Sequence, residues 1–288
     1  MINRIIPHPN ILHPRLKHSD LDLDHLRKYN LQLFGSPDDV VRHVQRNRTD
    51  LGGLSHIVTA DGYTNPPDTY KEDFGEMVYD FLFLLACQLG GKGHIGLVAA
   101  PSTNKEYSVD FIATRLVHNL GLPVVYLTGG KYWTSEYINA DLLTDGVDPS
   151  KYMSHEKYIV PKIEDSLEAG SSLSTSLVLF GGRSITLSDF IYTINRGKKV
   201  VLVIDRTNQS PPHDHGRLHN TTLYLKELIV HFRKHGKFGS ESLLDYQNIK
   251  RLIIDNWEFI ANHVLVVEQN SKDELNDRIS ETITFLAG

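Results

Sequence analysis

Six short and almost wholly apolar runs alternate along this chain with longer segments whose apolar residues recur at helical spacing. Strands that are apolar throughout are typical of a parallel sheet, because helices cover both of its faces. Alternation of such strands with helices indicates an α/β fold with right-handed crossovers. The pattern therefore predicts a doubly wound, mostly parallel sheet of Rossmann-like type. Its predicted strands are residues 56–60, 95–100, 124–128, 177–180, 200–204 and 264–267.

The segments that connect and follow these strands carry apolar stripes at a spacing of three and four residues, which predicts helices packed on the sheet. Nothing in the stripes points to a cofactor, so we expect them to form the core. We also expect a helix over 154–167, with Glu156 and Lys157 in its first turn. The four stripes cover residues 74–89, 112–120, 249–260 and 275–286.

The first fifty residues differ in character, because they are polar and rich in His, Asp and Arg. Within them, Ser36 followed by Pro37 is a good helix start. We interpret residues 1–50 as an N-terminal extension that packs on the core or on a partner subunit. Residues 51–288 are then expected to form a single nucleotide-binding domain.

Composition and charge exclude several functional classes. The 288 residues carry a net charge of −5. This charge argues against nucleic acid as a partner, because a protein that binds the phosphate backbone normally presents a basic face. No apolar run reaches the roughly 18 residues that a membrane span needs, and no signal peptide opens the chain. We therefore expect a cytoplasmic protein with no membrane partner. The single cysteine, Cys87, rules out an internal disulfide framework, and we expect it to pack in the core.

The most informative local motif is the segment 177–189, where four apolar residues run into two glycines and then into a helical pattern. Glycine adopts the positive φ that a sharp strand-to-helix reversal often needs. A helix that begins at the carboxyl end of a strand presents free N–H groups and partial positive charge, which together bind anions. The sequence therefore predicts a phosphate site at this turn. Its candidate residues are Gly181, Gly182, Arg183, Ser184 and Thr186.

Several residues of this helix start allow two interpretations. Ser184 and Thr186 carry oxygens that can cap the helix, and the pair Thr186 and Asp189 has the spacing of a capping box. Asp189 is therefore either part of the cap or a catalytic carboxylate. Arg183 is either a phosphate contact or a solvated surface charge.

Ligands of open parallel sheets bind outside the carboxyl ends of the strands, where neighbouring crossovers diverge. The residues after the predicted strands are small, polar or cationic, which suits a phosphorylated ligand rich in hydroxyl groups. Turns are also rich in such residues for conformational reasons alone, and Asp61 can equally serve an Asx turn. The ligand-binding candidates at these ends are Asp61, Ser102, Gly129, Gly130 and Lys131.

A histidine cluster invites a metal interpretation, because imidazoles at the spacing of His213, His215 and His219 can converge on zinc. The cluster follows two prolines in an apparent loop, and the chain holds 15 histidines in all. A surface loop, or a lid over the ligand crevice, is the better interpretation. No metal and no cofactor is therefore predicted.

Two motifs resemble those of the SLOG superfamily, which contains the lonely-guy phosphoribohydrolases that activate cytokinins and proteins once described as lysine decarboxylases. Residues 180–189 resemble the family's Pro-Gly-Gly-X-Gly-Thr-X-X-Glu turn, and residues 153–158 its Met-X-X-Arg-Lys helix start. Residues 195–202 are similar to the helix end and strand that follow, and residues 60–70 to the family's first strand and Pro-X-Tyr loop. The resemblance covers roughly residues 54–206.

The resemblance implies a nucleotide-binding crevice and, for members that hydrolyse an N-glycosidic bond, a reaction that uses the arginine and glutamate of the two motifs. Asp189 and Glu156 are then the catalytic candidates, and Asp61 is a third carboxylate near a predicted strand end. The candidates to hold phosphate are Lys157, Arg183 and Lys131. The resemblance also implies a homodimer or a higher homo-oligomer. Three functions stay open: hydrolysis of a nucleotide or phosphosugar, nucleotide binding or sensing without catalysis, and an oligomeric scaffold without ligand. Taken alone, each of Glu156 and Lys157 is better explained as a solvated residue of a first helical turn.

Overall fold

A computed structural model describes residues 23–90, 95–101, 106–130, 149–205, 212–214, 217–239, 245–269 and 274–288. The strands are β1 (Leu31–Leu33), β2 (His56–Gly62), β3 (Ile95–Ala99), β4 (Val124–Gly129), β5 (Lys157–Val160), β6 (Ser176–Phe180), β7 (Lys199–Asp205), β8 (His213–Asp214), β9 (Arg217–Leu218) and β10 (Val264–Gln269). The helices are α1 (Leu23–Lys28), α2 (Pro37–Asn47), α3 (Lys71–Gly90), α4 (Val109–Leu120), α5 (Pro149–Ser154), α6 (Ile163–Leu173), α7 (Ser184–Asn195), α8 (Thr221–His235), α9 (Ile249–Asp255), α10 (Trp257–His263) and α11 (Leu275–Ala287).

Eight strands form one sheet in the order β1-β5-β4-β3-β2-β6-β7-β10, whereas β8 and β9 form a separate antiparallel pair. The strands of the large sheet pair in parallel, and helices connect them, which confirms the predicted α/β, Rossmann-like fold. All six predicted strands are present, and their ends differ from the predictions by no more than two residues. The strand order reverses where β6 follows β2 in the sheet. The carboxyl ends of these two strands therefore form the switch point at which such sheets bind ligands.

The described chain divides into two compact units. The C-terminal unit contains Asp61–Tyr63 and Ser176–Gly288, and the N-terminal unit contains Thr64–Thr175 and the described residues up to Ala60. The end of β2 therefore belongs to the same unit as β6. Buried aliphatic and aromatic side chains form a core in each unit: Leu179, Phe190, Leu202, Leu225 and Ile253 in the C-terminal one, and Val44, Val98, Val125, Tyr158 and Ala169 in the N-terminal one.

The described part of the first fifty residues contributes a strand and two helices to the N-terminal unit. As predicted, α2 begins directly after Ser36, whose hydroxyl oxygen accepts a hydrogen bond from the N–H of Asp39 at 3.3 Å. Val40 and Val44 of this helix are buried in the core of the unit. β1 pairs in parallel with β5. The boundary at residue 50 between an extension and a second domain stays a prediction.

The prediction of one helix over residues 154–167 is wrong. Residues Lys157–Val160 form β5, and α6 begins only at Ile163. Tyr158, Ile159 and Val160 are aromatic or β-branched, and such residues favour a strand. This preference outweighs the resemblance of residues 153–158 to a helix start.

Three smaller expectations also need correction. The stripe over 249–260 forms two helices, α9 and α10, because Asn256 leaves the helical conformation with φ −127° and ψ 26°. The expected loop after Pro212 contains the β8–β9 hairpin. Cys87 is exposed rather than packed in the core.

Among the described residues, no helix combines the length and apolar character that crossing a bilayer requires.

Candidate functional site

The turn after β6 has the conformation that its two glycines predict. Gly181 has φ 64° and Gly182 has φ 83°, both in the region that disfavours residues with a Cβ atom. The end of β2 is fixed beside the turn, because the N–H of Tyr63 donates to the carbonyl oxygen of Phe180 at 3.1 Å. The two carboxyl ends that form the switch point are therefore joined by a backbone hydrogen bond.

The inner corner of this turn is filled by the protein's own side chains. A Cβ atom at Gly181 would overlap the ring of Tyr63, and one at Gly182 would overlap the side chain of Thr186. The N–H of Gly181 is also occupied, because it donates to the Thr222 hydroxyl oxygen at 3.2 Å. The N–H of Gly181 is therefore not available to a ligand in this arrangement, and a contact of Gly181 with the ligand stays a prediction.

Tyr63 closes this corner from the side of β2. The residue is only 3% exposed, and its hydroxyl donates to the carbonyl oxygen of His219 at 2.7 Å. The first residue of α8 holds the carbonyl groups of the turn, since the N–H of Thr221 donates to Gly182 at 2.9 Å and its hydroxyl donates to Arg183 at 2.8 Å. These contacts occupy the inner corner of the turn.

Among the residues that the structure describes, no side chain caps the amino end of α7. Its N-cap position is Arg183, which has no acceptor to offer the first-turn N–H groups, and the residue is exposed. The predicted capping by Ser184 or Thr186 is wrong, since both lie inside the helix and the Thr186 hydroxyl donates to the carbonyl oxygen of Gly62 at 3.3 Å. The end of α7 therefore keeps the partial positive charge of an uncapped helix beside a guanidinium group.

Asp61, the penultimate residue of β2, is a half-buried acid with an incomplete set of hydrogen bonds. Its Oδ1 accepts from the N–H of Gly62 at 2.7 Å. Its Oδ2 is shielded from solvent and has no hydrogen-bond partner among the described residues. Burial raises the pKa of Asp61 to about 6, and the Gly62 N–H and the Thr186 hydroxyl oppose that shift.

Asp189 lies one turn further along α7 than the candidate phosphate contacts. It is 3% exposed, so it belongs to the buried side of the helix. The expected capping box with Thr186 does not form, because α7 already begins at Ser184.

Lys157 lies at the amino end of β5, in the N-terminal unit, rather than at a carboxyl end. Its Nζ donates to the carbonyl oxygens of Tyr152 at 2.6 Å, His155 at 3.0 Å and Tyr29 at 3.1 Å, and lies 4.2 Å from the centre of the Tyr152 ring. Burial lowers the pKa of Lys157 to about 7, and the carbonyl acceptors, which favour the ammonium form, act against that shift. All three ammonium protons have acceptors inside the protein, so none is left to donate to a phosphate in this arrangement.

Glu156 precedes β5 and is likewise engaged in internal hydrogen bonds. Its Oε1 accepts from Gln32 Nε2 at 2.8 Å, and its Oε2 accepts from the Tyr158 hydroxyl at 2.6 Å. The carboxylate thereby links β1 to β5. This position at the amino end of a strand separates it from the carboxyl ends, where the catalytic role was expected.

The remaining candidates divide between packed and undescribed residues. A Cβ atom at Gly129 would overlap the backbone of Lys162 just before α6, so this glycine permits a close approach of backbone segments. Gly130 follows with φ 62° and is buried. Ser102, Lys131 and His215 lie outside the described residues. Within the described ranges, no three metal-ligating side chains come together, and His213 packs its ring against Tyr224.

Sequence reasoning missed the residues that close the turn from other parts of the chain. Tyr63, Thr221 and Thr222 contact the glycine turn, although they are remote from it in sequence. A local signal existed only for the start of α8, where Asn220 caps the N–H of Leu223 at 3.1 Å. That signal predicts a helix start but not its contact with the turn.

Comparison with known proteins gives similarity at the level of solved structures only. No family model and no curated protein matches the chain. Two structures of the molybdenum cofactor carrier protein from Chlamydomonas reinhardtii align with 13–14% identity and TM-scores of 0.41–0.42, over 81% of this chain and 99% of theirs. The structural genomics target TM1055 aligns with 15% identity and a TM-score of 0.41, over 79% of this chain and 99% of its own. The fold assignment therefore rests on the sheet order and the parallel pairing described above.

Proposed function

We propose that this protein binds a small phosphorylated ligand, of nucleotide or phosphosugar type, at the switch point formed by the ends of β2 and β6. The observation that carries the proposal is the uncapped amino end of α7 beside the exposed Arg183. Helix N–H groups and a guanidinium group both favour a phosphate, and together they supply charge and directed hydrogen bonds. The closed inner corner directs the ligand to the outer side of the turn.

Thermal unfolding in the presence of inorganic phosphate, ribose 5-phosphate and a panel of nucleoside monophosphates tests this proposal. We expect at least one phosphorylated compound to raise the Tm, and Arg183→Glu to remove that rise, because it replaces the attracting charge with a repelling one. Arg233→Glu is the matched control, since it makes the same charge change at the far end of α8, a helix about 22 Å long. A response to ligand that survives in Arg183→Glu would contradict the proposed site.

Hydrolysis of an N-glycosidic bond is a second candidate function, and it depends on Asp189. This carboxyl residue belongs to the helix that forms the proposed phosphate site, whereas Glu156 is engaged at the start of β5. Release of free base from a nucleoside monophosphate would support an enzyme, and Asp189→Asn should then stop release while ligand binding persists. Binding without release supports a sensing or binding module, and the absence of both supports a scaffold.

The assembly and the location of the protein complete the proposal. We propose a homodimer or higher homo-oligomer in the cytoplasm, without nucleic-acid or membrane partners. Light scattering coupled to gel filtration measures the assembly, and a monomer at micromolar concentration would contradict it.

A further inference from the structure

One oxygen of the Asp61 carboxylate, Oδ2, has no hydrogen-bond partner within the described part of the chain, and the nearby hydroxyl groups do not supply one. The Thr186 hydroxyl donates to the carbonyl oxygen of Gly62, and the Tyr63 hydroxyl donates to that of His219. The Thr186 hydroxyl lies near enough to Asp61 to oppose the rise of its pKa, but its single proton is donated to Gly62. Neither hydroxyl therefore makes a hydrogen bond to Asp61 Oδ2 in this arrangement. Buried polar atoms are nearly always hydrogen-bonded, and an exception at a ligand-binding position calls for a specific explanation.

One contact relates Asp61 to the proposed phosphate position. Thr186 connects the two places, because its backbone belongs to the first turn of α7 while its hydroxyl contacts Gly62, the residue after Asp61. A ligand anchored by phosphate at α7 therefore carries its next few atoms towards the end of β2. Rotation about the Cβ–Cγ bond of an aspartate is soft, so either carboxylate oxygen can turn towards an incoming donor.

We propose that Asp61 accepts a hydrogen bond from a sugar hydroxyl of the bound phosphate ester. This inference rests on the proposed function, and it narrows the ligand class to phosphorylated sugars and nucleotides with free ring hydroxyls. An ionised carboxylate only accepts hydrogen bonds, and a hydroxyl is the donor that a sugar supplies. Dinucleotide-binding sheets use a carboxylate in the same chemical role, on a ribose hydroxyl near the switch point.

The test compares two ligands that differ only in their ring hydroxyls. Ribose 5-phosphate carries them, whereas tetrahydrofurfuryl phosphate keeps the five-membered ring and the phosphate but has none. In isothermal titration at pH 7.5, wild-type protein should bind ribose 5-phosphate about tenfold or more tightly than tetrahydrofurfuryl phosphate. A difference of this size is typical when a hydrogen bond to a charged group is lost. Asp61→Ala should reduce the preference for ribose 5-phosphate to less than about threefold, mainly by lowering the affinity for that ligand.

Asp61→Asn provides a second variant that keeps the shape of the side chain. It retains one acceptor oxygen, so we expect an intermediate preference between those of wild-type protein and Asp61→Ala. Asp277→Ala removes an exposed carboxylate from α11 in the same unit and serves as the control with unchanged preference. All variants keep Arg183, so their affinity for inorganic phosphate should stay within about twofold of wild type.

The outcomes separate failure of this inference from failure of the proposed function. If no phosphorylated compound binds the wild-type protein, the proposed function fails and the role of Asp61 fails with it. If both esters bind with equal affinity, the phosphate site stands and the role of Asp61 is overturned. A preference that persists unchanged in both Asp61 variants overturns it as well.

Discussion

The buried Lys157 and the half-buried Asp61 are two ionisable groups that differ in how completely they are hydrogen-bonded. The ammonium of Lys157 donates to three carbonyl oxygens and lies over an aromatic ring. The carboxylate of Asp61 has one partner and one shielded oxygen without any among the described residues. Burial disfavours the charged form of both groups, so it lowers the pKa of Lys157 and raises that of Asp61.

Lys157 is a charge whose hydrogen bonds are complete, whereas those of Asp61 are incomplete among the described residues. The acceptors of Lys157 follow or end two short helices, since Tyr29 comes directly after α1 and Tyr152 lies in the last turn of α5. A cation at helix carboxyl ends binds their free carbonyls and complements their partial negative charge. Asp61 does not bind a comparable set of free backbone groups. Its Oδ2 has no donor among the described residues, and a donor group of a ligand can supply one.

The largest expected effect is the loss of Lys157. Lys157→Met keeps an unbranched side chain but leaves three buried carbonyl oxygens without their donor, which should lower the free energy of unfolding by about 3 kcal/mol or more. Urea unfolding followed by circular dichroism measures the change. Lys151→Met, on the exposed side of α5, is the matched control and should change stability by less than about 0.5 kcal/mol. Equal stability of the two variants would show that the carbonyl shell of Lys157 has no structural importance.

Removal of the Asp61 charge should act in the opposite direction. The pKa of Asp61 is raised from 3.8 to about 6 by folding, so the folded protein holds this proton more strongly than the unfolded chain. The resulting cost to stability is fully present above pH 6 and disappears as the pH falls below 3.8. Asp61→Asn has no such cost, and it should be more stable than wild type by about 2–3 kcal/mol at pH 8.

Unfolding at several pH values checks the origin of that gain. The stability difference between Asp61→Asn and wild type should shrink between pH 6 and pH 4 and approach zero below it. A gain that is the same at every pH would indicate packing rather than charge. If Asp61→Asn is more stable and also binds ribose 5-phosphate less tightly, Asp61 shows the trade-off between stability and function that is common at ligand-binding sites.

The sequence predicts those parts of the fold that depend on local patterns. The strand that ends at Phe180 is continuous in apolar residues, and Gly181-Gly182 meets a conformational demand of the backbone, so both are predicted correctly. β5 is missed because it is short and begins with Lys157, a charged residue that is buried only through its carbonyl partners. Backbone carbonyls are common to all residue types, so acceptors of this kind leave no signal in a sequence.

The candidate site is predicted only in part for a related reason. The glycine turn and Arg183 can be located from local spacing, and Asp61 from its place after a predicted strand. The contact of Tyr63 with the turn bridges more than a hundred residues and depends on the strand order, which local patterns do not specify. The unpartnered oxygen of Asp61 follows from that arrangement, so it appears only in three dimensions.

The smallest expected effect concerns Tyr63, whose hydroxyl is committed to the carbonyl oxygen of His219. Tyr63→Phe keeps the ring that fills the corner at Gly181 but removes this hydrogen bond, which should lower the free energy of unfolding by about 1 kcal/mol. Because the hydroxyl does not serve Asp61, the loss should be the same at pH 5 and pH 8. A loss that grows with pH would show that Tyr63 stabilises the ionised carboxylate, and Asp61 would then be a satisfied structural charge like Lys157.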